Sequence, residues 1–243
     1  MKTLGVIPAR YGAQRFPGKP LALIAGKPLV QHVYERARKA RRLDAVVVAT
    51  DDERIARAVG EFGGEAVMTP AECPSGTDRV ALVAAQRECD LVVNIQGDEP
   101  LMRPEMIDQL VDGIAADPHC PMATLARRIE SPDLLANPNV VKVVFAHNGH
   151  ALYFSRHPIP YVRDAGTRAQ HYKHLGIYGY RREFLLTFVR LAPTPLEKTE
   201  KLEQLRALEH GFAIKVLFTP YDSVGVDTPE DVAVVERILE QSQ

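Results

Sequence analysis

The sequence predicts an α/β protein built on a mostly parallel sheet covered on both faces, and three observations point there. Short apolar runs rich in Val, Ile and Ala alternate with stretches of helical periodicity. Prolines stand where helices begin (Pro28, Pro104, Pro229) and glycines where they stop (Gly63, Gly211). With 243 residues, 46% of them hydrophobic and 25% charged, the chain should bury about 70% of its unfolded surface without disulfide staples. No linker, repeat or low-complexity stretch divides it, so one continuous domain carrying an inserted segment is expected.

The elements follow in order. Leu4 to Ala9 reads as the first strand, too short an apolar stretch for a signal peptide. Pro28 to Ala40 reads as a helix whose terminal ERARKARR places cations at the carbonyl end of the dipole. Strands Ala45 to Thr50, Ala66 to Thr69 and Leu91 to Ile95 alternate with helices Asp52 to Phe62, Thr77 to Arg87 and Pro104 to Ala115. After a strand at Met122 to Ala126 the rhythm breaks: Val140 to Ala146 and Ala151 to Ser155 flank the turn HNGH as an antiparallel hairpin. A strand at Leu175 to Tyr180, a helix at Leu196 to Glu209, a strand at Ala213 to Phe218 and a helix at Pro229 to Gln241 complete the chain.

Composition narrows the function. No apolar run approaches the roughly 20 residues of a membrane span, and a cytoplasmic protein with no membrane partner is expected. Cys73, Cys89 and Cys120 lack metal-binding or disulfide spacing and read as buried or idle thiols. The net charge of −1 hides an asymmetry: residues 1–42 hold ten Lys/Arg against one acid, Glu35. An anionic ligand fits that bias; nucleic acid does not, because no basic face with interleaved aromatics appears.

Two strand ends carry the chemistry. The segment IPARYGAQRFPGKP leaves the first strand at its carboxyl end, where open α/β sheets bind ligands. Arg10, Arg15 and Lys19 put three cations on it without an acid, with glycines that allow close backbone approach, as a polyphosphate requires. It is neither a P-loop nor a dinucleotide fingerprint. The strand LVVNI runs into Gln96-Gly97-Asp98-Glu99, carboxylates suited to Mg²⁺, a hard cation that takes one or two protein oxygens alongside substrate phosphate. In GVDTPED, Asp227 is a second metal candidate, although Asp227 or Thr228 serves equally as a helix cap.

These segments, with ALYFSR, HLGIYGYR and KLEQLRALEHG, occur in an order that resembles the 3-deoxy-manno-octulosonate (Kdo) cytidylyltransferases over about residues 3–240. The resemblance implies a three-layer nucleotide-diphospho-sugar transferase (GT-A-like) fold, with a mixed seven-stranded sheet and an inserted dimerisation lobe at about 130–190, assembling as a homodimer. It implies CTP and Kdo as substrates and CMP-Kdo and pyrophosphate as products, in lipopolysaccharide precursor supply. It assigns Arg10, Arg15, Lys19, Ser75 and Arg79 to the nucleotide, and Asp98 and Asp227 to Mg²⁺. Arg10, Lys19 and both aspartates carry catalysis. Gln96, Arg156, His174, Tyr178 and Glu203 match sugar contacts. The turn Ser75-Gly76-Thr77 resembles the family's cytosine-contacting loop, and a capped helix start is its other reading. One departure stands out: Ala13-Gln14 occupies a place where the family usually has a hydroxyl. The alternatives are a cytidylyltransferase for 8-amino-Kdo or a nonulosonic acid, a non-catalytic sugar-nucleotide-binding protein, and a glycosyltransferase, whose DxD motif is missing from QGDEP.

Overall fold

The computed structural model describes residues 1–12, 16–164, 166–167 and 169–241. The chain runs through β1 (Thr3–Ala9), a one-turn 3-10 helix (Lys19–Leu21), the ribbon β2 (Leu23–Ile24) and β3 (Lys27–Pro28), and α1 (Leu29–Ala37). It continues through β4 (Ala45–Thr50), α2 (Glu53–Glu61), β5 (Ala66–Met68), α3 (Gly76–Ala85), β6 (Leu91–Asn94), α4 (Pro104–Ala116) and β7 (Met122–Arg128). Next come α5 (Pro132–Ala136), β8 (Lys142–Phe145), β9 (Ala151–Ser155), β10 (Tyr172–Arg181) and α6 (Arg182–Phe188). The last elements are α7 (Pro195–Glu200), α8 (Leu205–Glu209), β11 (Ile214–Phe218) and α9 (Pro229–Glu240).

The main sheet has the order β11-β7-β10-β6-β1-β4-β5. Only β10 runs against its neighbours β6 and β7; the other pairings along this path are parallel. From β1 the chain moves outward to β4 and β5, then returns to β6 on the other side of β1. This reversal opens a crevice at the carboxyl ends of β1 and β6, where an α/β sheet accepts a ligand. Period-two alternation explains why β4 is apolar from Ala45 to Ala49: Val46 and Val48 enter the core under α1, α2 and α4, while Val47 and Ala49 enter the core under α3, α6 and α8.

Of residues 130–190, expected as an inserted lobe, β8 and β9 form a hairpin paired to β10 at Lys142 and Lys173, while β10 itself crosses the centre of the main sheet. The expected turn is present, with Gly149 at φ +79°. Three expectations need correction, and the helices α5 and α6 have no counterpart among the expected elements. The helix expected over Leu196 to Glu209 is two helices, α7 and α8, separated by Lys201 at φ +54°. Tertiary contacts break it: the Glu200 carboxylate accepts hydrogen bonds from Ser155 Oγ (2.7 Å) and Arg156 N–H (2.9 Å), drawing the chain toward β9. Pro28 is the residue before α1 rather than in its first turn, because it pairs with Leu23 in the ribbon. The helix α6 was not expected; its apolar run buries Phe184, Leu185 and Phe188. Lastly, β10 starts three residues earlier than the apolar pattern indicates, its first residues pairing with Arg127 and Arg128 on β7.

Candidate active site

Local geometry at the two strand ends brings their loops into contact. Gly97 sits so close to β1 that a Cβ there would lie 2.6 Å from the Pro8 carbonyl oxygen, a distance no side chain tolerates. Glycine thus lets the Asp98 turn close over the end of β1. Gly18, at φ +72°, donates its N–H to the Tyr11 carbonyl (2.9 Å) and starts the 3-10 turn that carries Lys19. These two glycines set the distance between the basic loop and the acidic turn.

Between the loops lies a cleft of about 670 Å³, a volume suited to a nucleotide-sized ligand. Arg10, Lys19, Ser75, Arg79, Gln96, Asp98 and Asp227 all line it. Arg15, with Ala13 and Gln14, lies outside the described residues. Lys19 Nζ is 2.7 Å from Asp98 Oδ2 and 3.7 Å from Asp227 Oδ1, and it donates to the Val226 carbonyl at 2.9 Å. The two alternatives for GVDTPED separate here. Thr228 caps α9 and forms a capping box with Asp231, leaving the Asp227 carboxylate turned toward Lys19. The adjacent Glu99 is of a different kind. It does not line the cleft, and burial, with the Asp98 charge adding to it, pushes its carboxyl up to about 7.

The oxygens of Asp98, Asp227 and Val226 converge on one ammonium, so the donor set is hard, anionic and already arranged around a cation. That fits Mg²⁺. Ser75 caps α3: its Oγ accepts from Asp78 N–H (3.2 Å) and donates to Asp78 Oδ2 (2.7 Å). Thr77 is released from capping and donates to Glu203 Oε2 at 2.5 Å. Arg79 is nearly enclosed; its guanidinium bonds Thr69 Oγ1 and lies 3.4 Å from Asp51 Oδ2. The sequence alone gave neither Asp51 nor Thr69 a place in the site. Their signal was position: each stands just past or at the carboxyl end of a parallel strand.

The residues matched to sugar contacts lie along β10 and its surroundings. Gln96 donates to the Gly176 carbonyl (2.9 Å) and so joins the cleft to β10. His174 is buried; its Nε2 is 3.0 Å from Thr124 Oγ1, and its ring packs edge-on against Phe154 and beside Tyr178. Burial holds its pKa down at about 3, so the imidazole is neutral. Burial, helped by Glu203, pushes the Tyr178 hydroxyl above its ordinary range. Glu203 takes the Thr77 bond and stands 3.8 Å from Arg206. Arg156 donates to the carbonyls of Glu200 (2.7 Å), Pro138 (3.1 Å) and Lys201 (3.4 Å). None of these four lines the cleft.

Away from the cleft, the fold gathers one set of metal-ligating groups among the described residues, Asp117, Cys120 and His150, with ligand atoms within 4.8 Å of one another. Linear spacing gave no hint of it. The thiol donates to the Met122 carbonyl (3.0 Å), burial raises its pKa, and Lys215 stands 3.8 Å from Asp117, so the group ties the hairpin turn to β11.

Comparison with known proteins places this architecture. The Cytidylyltransferase family model matches residues 4–216. A 3-deoxy-manno-octulosonate cytidylyltransferase of Syntrophobacter fumaroxidans is 57% identical, covering 99% of this chain and 98% of that protein, and one of Geobacter metallireducens is 54% identical, covering 98% of each. The solved structure of CMP:2-keto-3-deoxy-manno-octonic acid synthetase complexed with CTP superposes over 100% of both chains at TM-score 0.96 and 45% identity. That of 4-diphosphocytidyl-2C-methyl-D-erythritol synthase from Anaerococcus prevotii, at 12% identity and TM-score 0.65 over 98% of this chain and 96% of that one, shares the fold alone. With the family model covering most of the chain and close relatives aligning along nearly all of it, the protein belongs to the 3-deoxy-manno-octulosonate cytidylyltransferase family, a group of nucleotidyltransferases.

Proposed function

We propose that this chain transfers CMP from CTP to the anomeric 2-hydroxyl of Kdo, releasing pyrophosphate and giving CMP-Kdo for lipopolysaccharide precursor supply. The observation that carries the proposal is the meeting of Lys19 with Asp98 and Asp227 in a cleft at the switch point, which the exposed Arg10 also lines. The sugar oxygen forms a bond to the α-phosphorus while the bond from that phosphorus to the bridging oxygen of pyrophosphate breaks. No covalent intermediate with the protein is needed. Negative charge builds on the phosphate oxygens, and preplaced cations stabilise it because they need no reorganisation at the moment of reaction.

Arg10, Lys19 and Arg15 bind the triphosphate. Asp98 and Asp227 would hold Mg²⁺, which when bound supplies charge neutralisation on the phosphate and acidifies the attacking hydroxyl. Ser75 and Gly76 border the base, and Arg79, braced by Asp51 and Thr69, keeps its orientation while facing the nucleotide. Gln96, Arg156, His174, Tyr178 and Glu203 form the sugar end, Gln96 as the link between cleft and β10. The active form is a homodimer; Leu152 on β9 and Tyr161 beyond it expose 63% and 83% of their surface and suit a subunit contact.

The test measures pyrophosphate release with each of the four nucleoside triphosphates against Kdo, 8-amino-Kdo and sialic acid. A site that accepts from the cytosine amino group leaves buried acceptors unpaired against uracil, so kcat/KM for CTP should exceed that for UTP by about 5- to 150-fold. A preference for ATP or GTP, or equal rates with CTP and UTP, refutes the base assignment. Turnover only with 8-amino-Kdo or sialic acid refutes the sugar assignment.

A further inference from the structure

Lys19 occupies the place that suits a divalent cation. Three oxygens from two separate segments surround its Nζ: Asp98 Oδ2 at 2.7 Å, Val226 O at 2.9 Å and Asp227 Oδ1 at 3.7 Å. The Lys19 side chain is largely enclosed, whereas Asp227 is more than half exposed, so the ammonium forms the inner member of the group. Carboxylates held in this way already have their counter-charge. A divalent ion entering alone would meet an ammonium at contact distance, and like charges that close repel strongly in a partly desolvated cleft. The ammonium, however, sits on a flexible four-carbon stem. A triphosphate in the cleft offers it phosphate oxygens instead.

We propose that Lys19 is a resident cation that keeps the Asp98 and Asp227 carboxylates closed to a free divalent ion and yields them only when the ion arrives with a triphosphate. The species the cleft accepts is then the cation–nucleotide complex, and the ammonium moves from carboxylate to phosphate as the ion takes its place. This rests on the reading of the cleft as a metal-assisted nucleotide site. It adds an order of events that the function does not require, because preformed carboxylates without Lys19 between them would bind the ion first.

The experiment titrates full-length protein with Mn²⁺ in the absence of nucleotide, following the free ion by electron paramagnetic resonance. Wild type should bind Mn²⁺ weakly. Lys19→Met should bind it at least roughly tenfold more tightly, since a like charge has left an anionic site, while binding CTP more weakly than wild type. Lys19→Arg should stay weak, and adding Asp98→Asn to Lys19→Met should abolish the gain. A Lys19 that merely supports the loop would lose both ligands together. Mn²⁺ affinity in Lys19→Met equal to or below wild type overturns the proposal, and Lys19→Gln serves as the second variant should Met prevent folding. Tight Mn²⁺ binding by nucleotide-free wild type overturns it without any variant. Failure of the catalytic reading shows elsewhere, as absent pyrophosphate release from CTP and Kdo.

Discussion

At the proposed nucleotide end of the site, charged side chains stand on loops and line an open cleft; at the proposed sugar end, the matched residues are engaged by the protein itself. Lys19, Asp98 and Asp227 meet one another across the crevice, with Arg10 exposed on its rim. Arg156, by contrast, donates to three backbone carbonyls, His174 is sealed among aromatic rings, and Glu203 holds the Thr77 hydroxyl. The difference follows from where each group sits. A loop at a strand's carboxyl end projects polar groups past the sheet, whereas His174 within the central strand β10 is enveloped on both sides, and Arg156 and Glu203 lie where chain segments pack together and supply partners. Substitutions of the charged groups that face the open cleft should therefore change chemistry with little effect on folding. At the enclosed end they should change stability and sugar handling together.

The largest effect should come from the acidic pair. Asp98→Asn and Asp227→Asn should each lower kcat by about 100-fold or more while the thermal midpoint stays near wild type, the scale seen when one positioned electrostatic element is lost. Steady-state kinetics alongside thermal melting would check this; near-normal turnover in either variant removes the metal assignment.

Gly97→Ala probes how the open end is set. Its methyl group would collide with the Pro8 carbonyl, forcing the Asp98 turn away from β1. Overpacking of this kind costs about 1–3 kcal/mol, and turnover should fall at least roughly tenfold because small displacements of a catalytic group are costly. An active, stable Gly97→Ala protein would show that the spacing between the two loops is not set here.

Lys19→Ala against Arg156→Ala divides the two ends directly. The first should raise KM for CTP. The second should raise KM for Kdo and lower stability by only about 1 kcal/mol, since water can replace the lost donor at the exposed carbonyls of Pro138 and Lys201 and only the Glu200 carbonyl is partly buried. Equal kinetic effects on both substrates would erase the division.

A further test concerns pH at the enclosed end. Because the buried His174 has its pKa lowered to about 3 from 6.5, below pH 6.5 the unfolded chain takes up a proton that the folded protein refuses. The associated stability is whole above pH 6.5 and is lost as pH falls toward 3, at up to about 1.4 kcal/mol per pH unit. His174→Gln should flatten that slope, measured as the difference from wild type in urea denaturation at pH 7.5 and pH 5. Parallel slopes would mean that the native imidazole is protonated or reached by solvent.

The short segments IPARYGAQRFPGKP, QGDEP and GVDTPED were enough to identify the strand ends, the basic rim and the acidic turn, because their chemistry is contiguous in sequence and the parallel fold delivers strand ends to one crevice. Strands and helices were legible for the same reason: the continuous apolar run of β4 and the helical spacing of α4 are local properties. Other features depended on distant partners. That Asp227, left outside the Thr228–Asp231 capping box, meets Lys19 is a tertiary contact, and the separation of α7 from α8 accompanies the bonds of Ser155 and Arg156 to Glu200. Asp51 became a brace for Arg79, and Cys120 a neighbour of His150, only through long-range packing. Local propensity sets what a segment prefers; burial and hydrogen-bond satisfaction, which are properties of the whole fold, determine which of its polar groups remain available to a ligand.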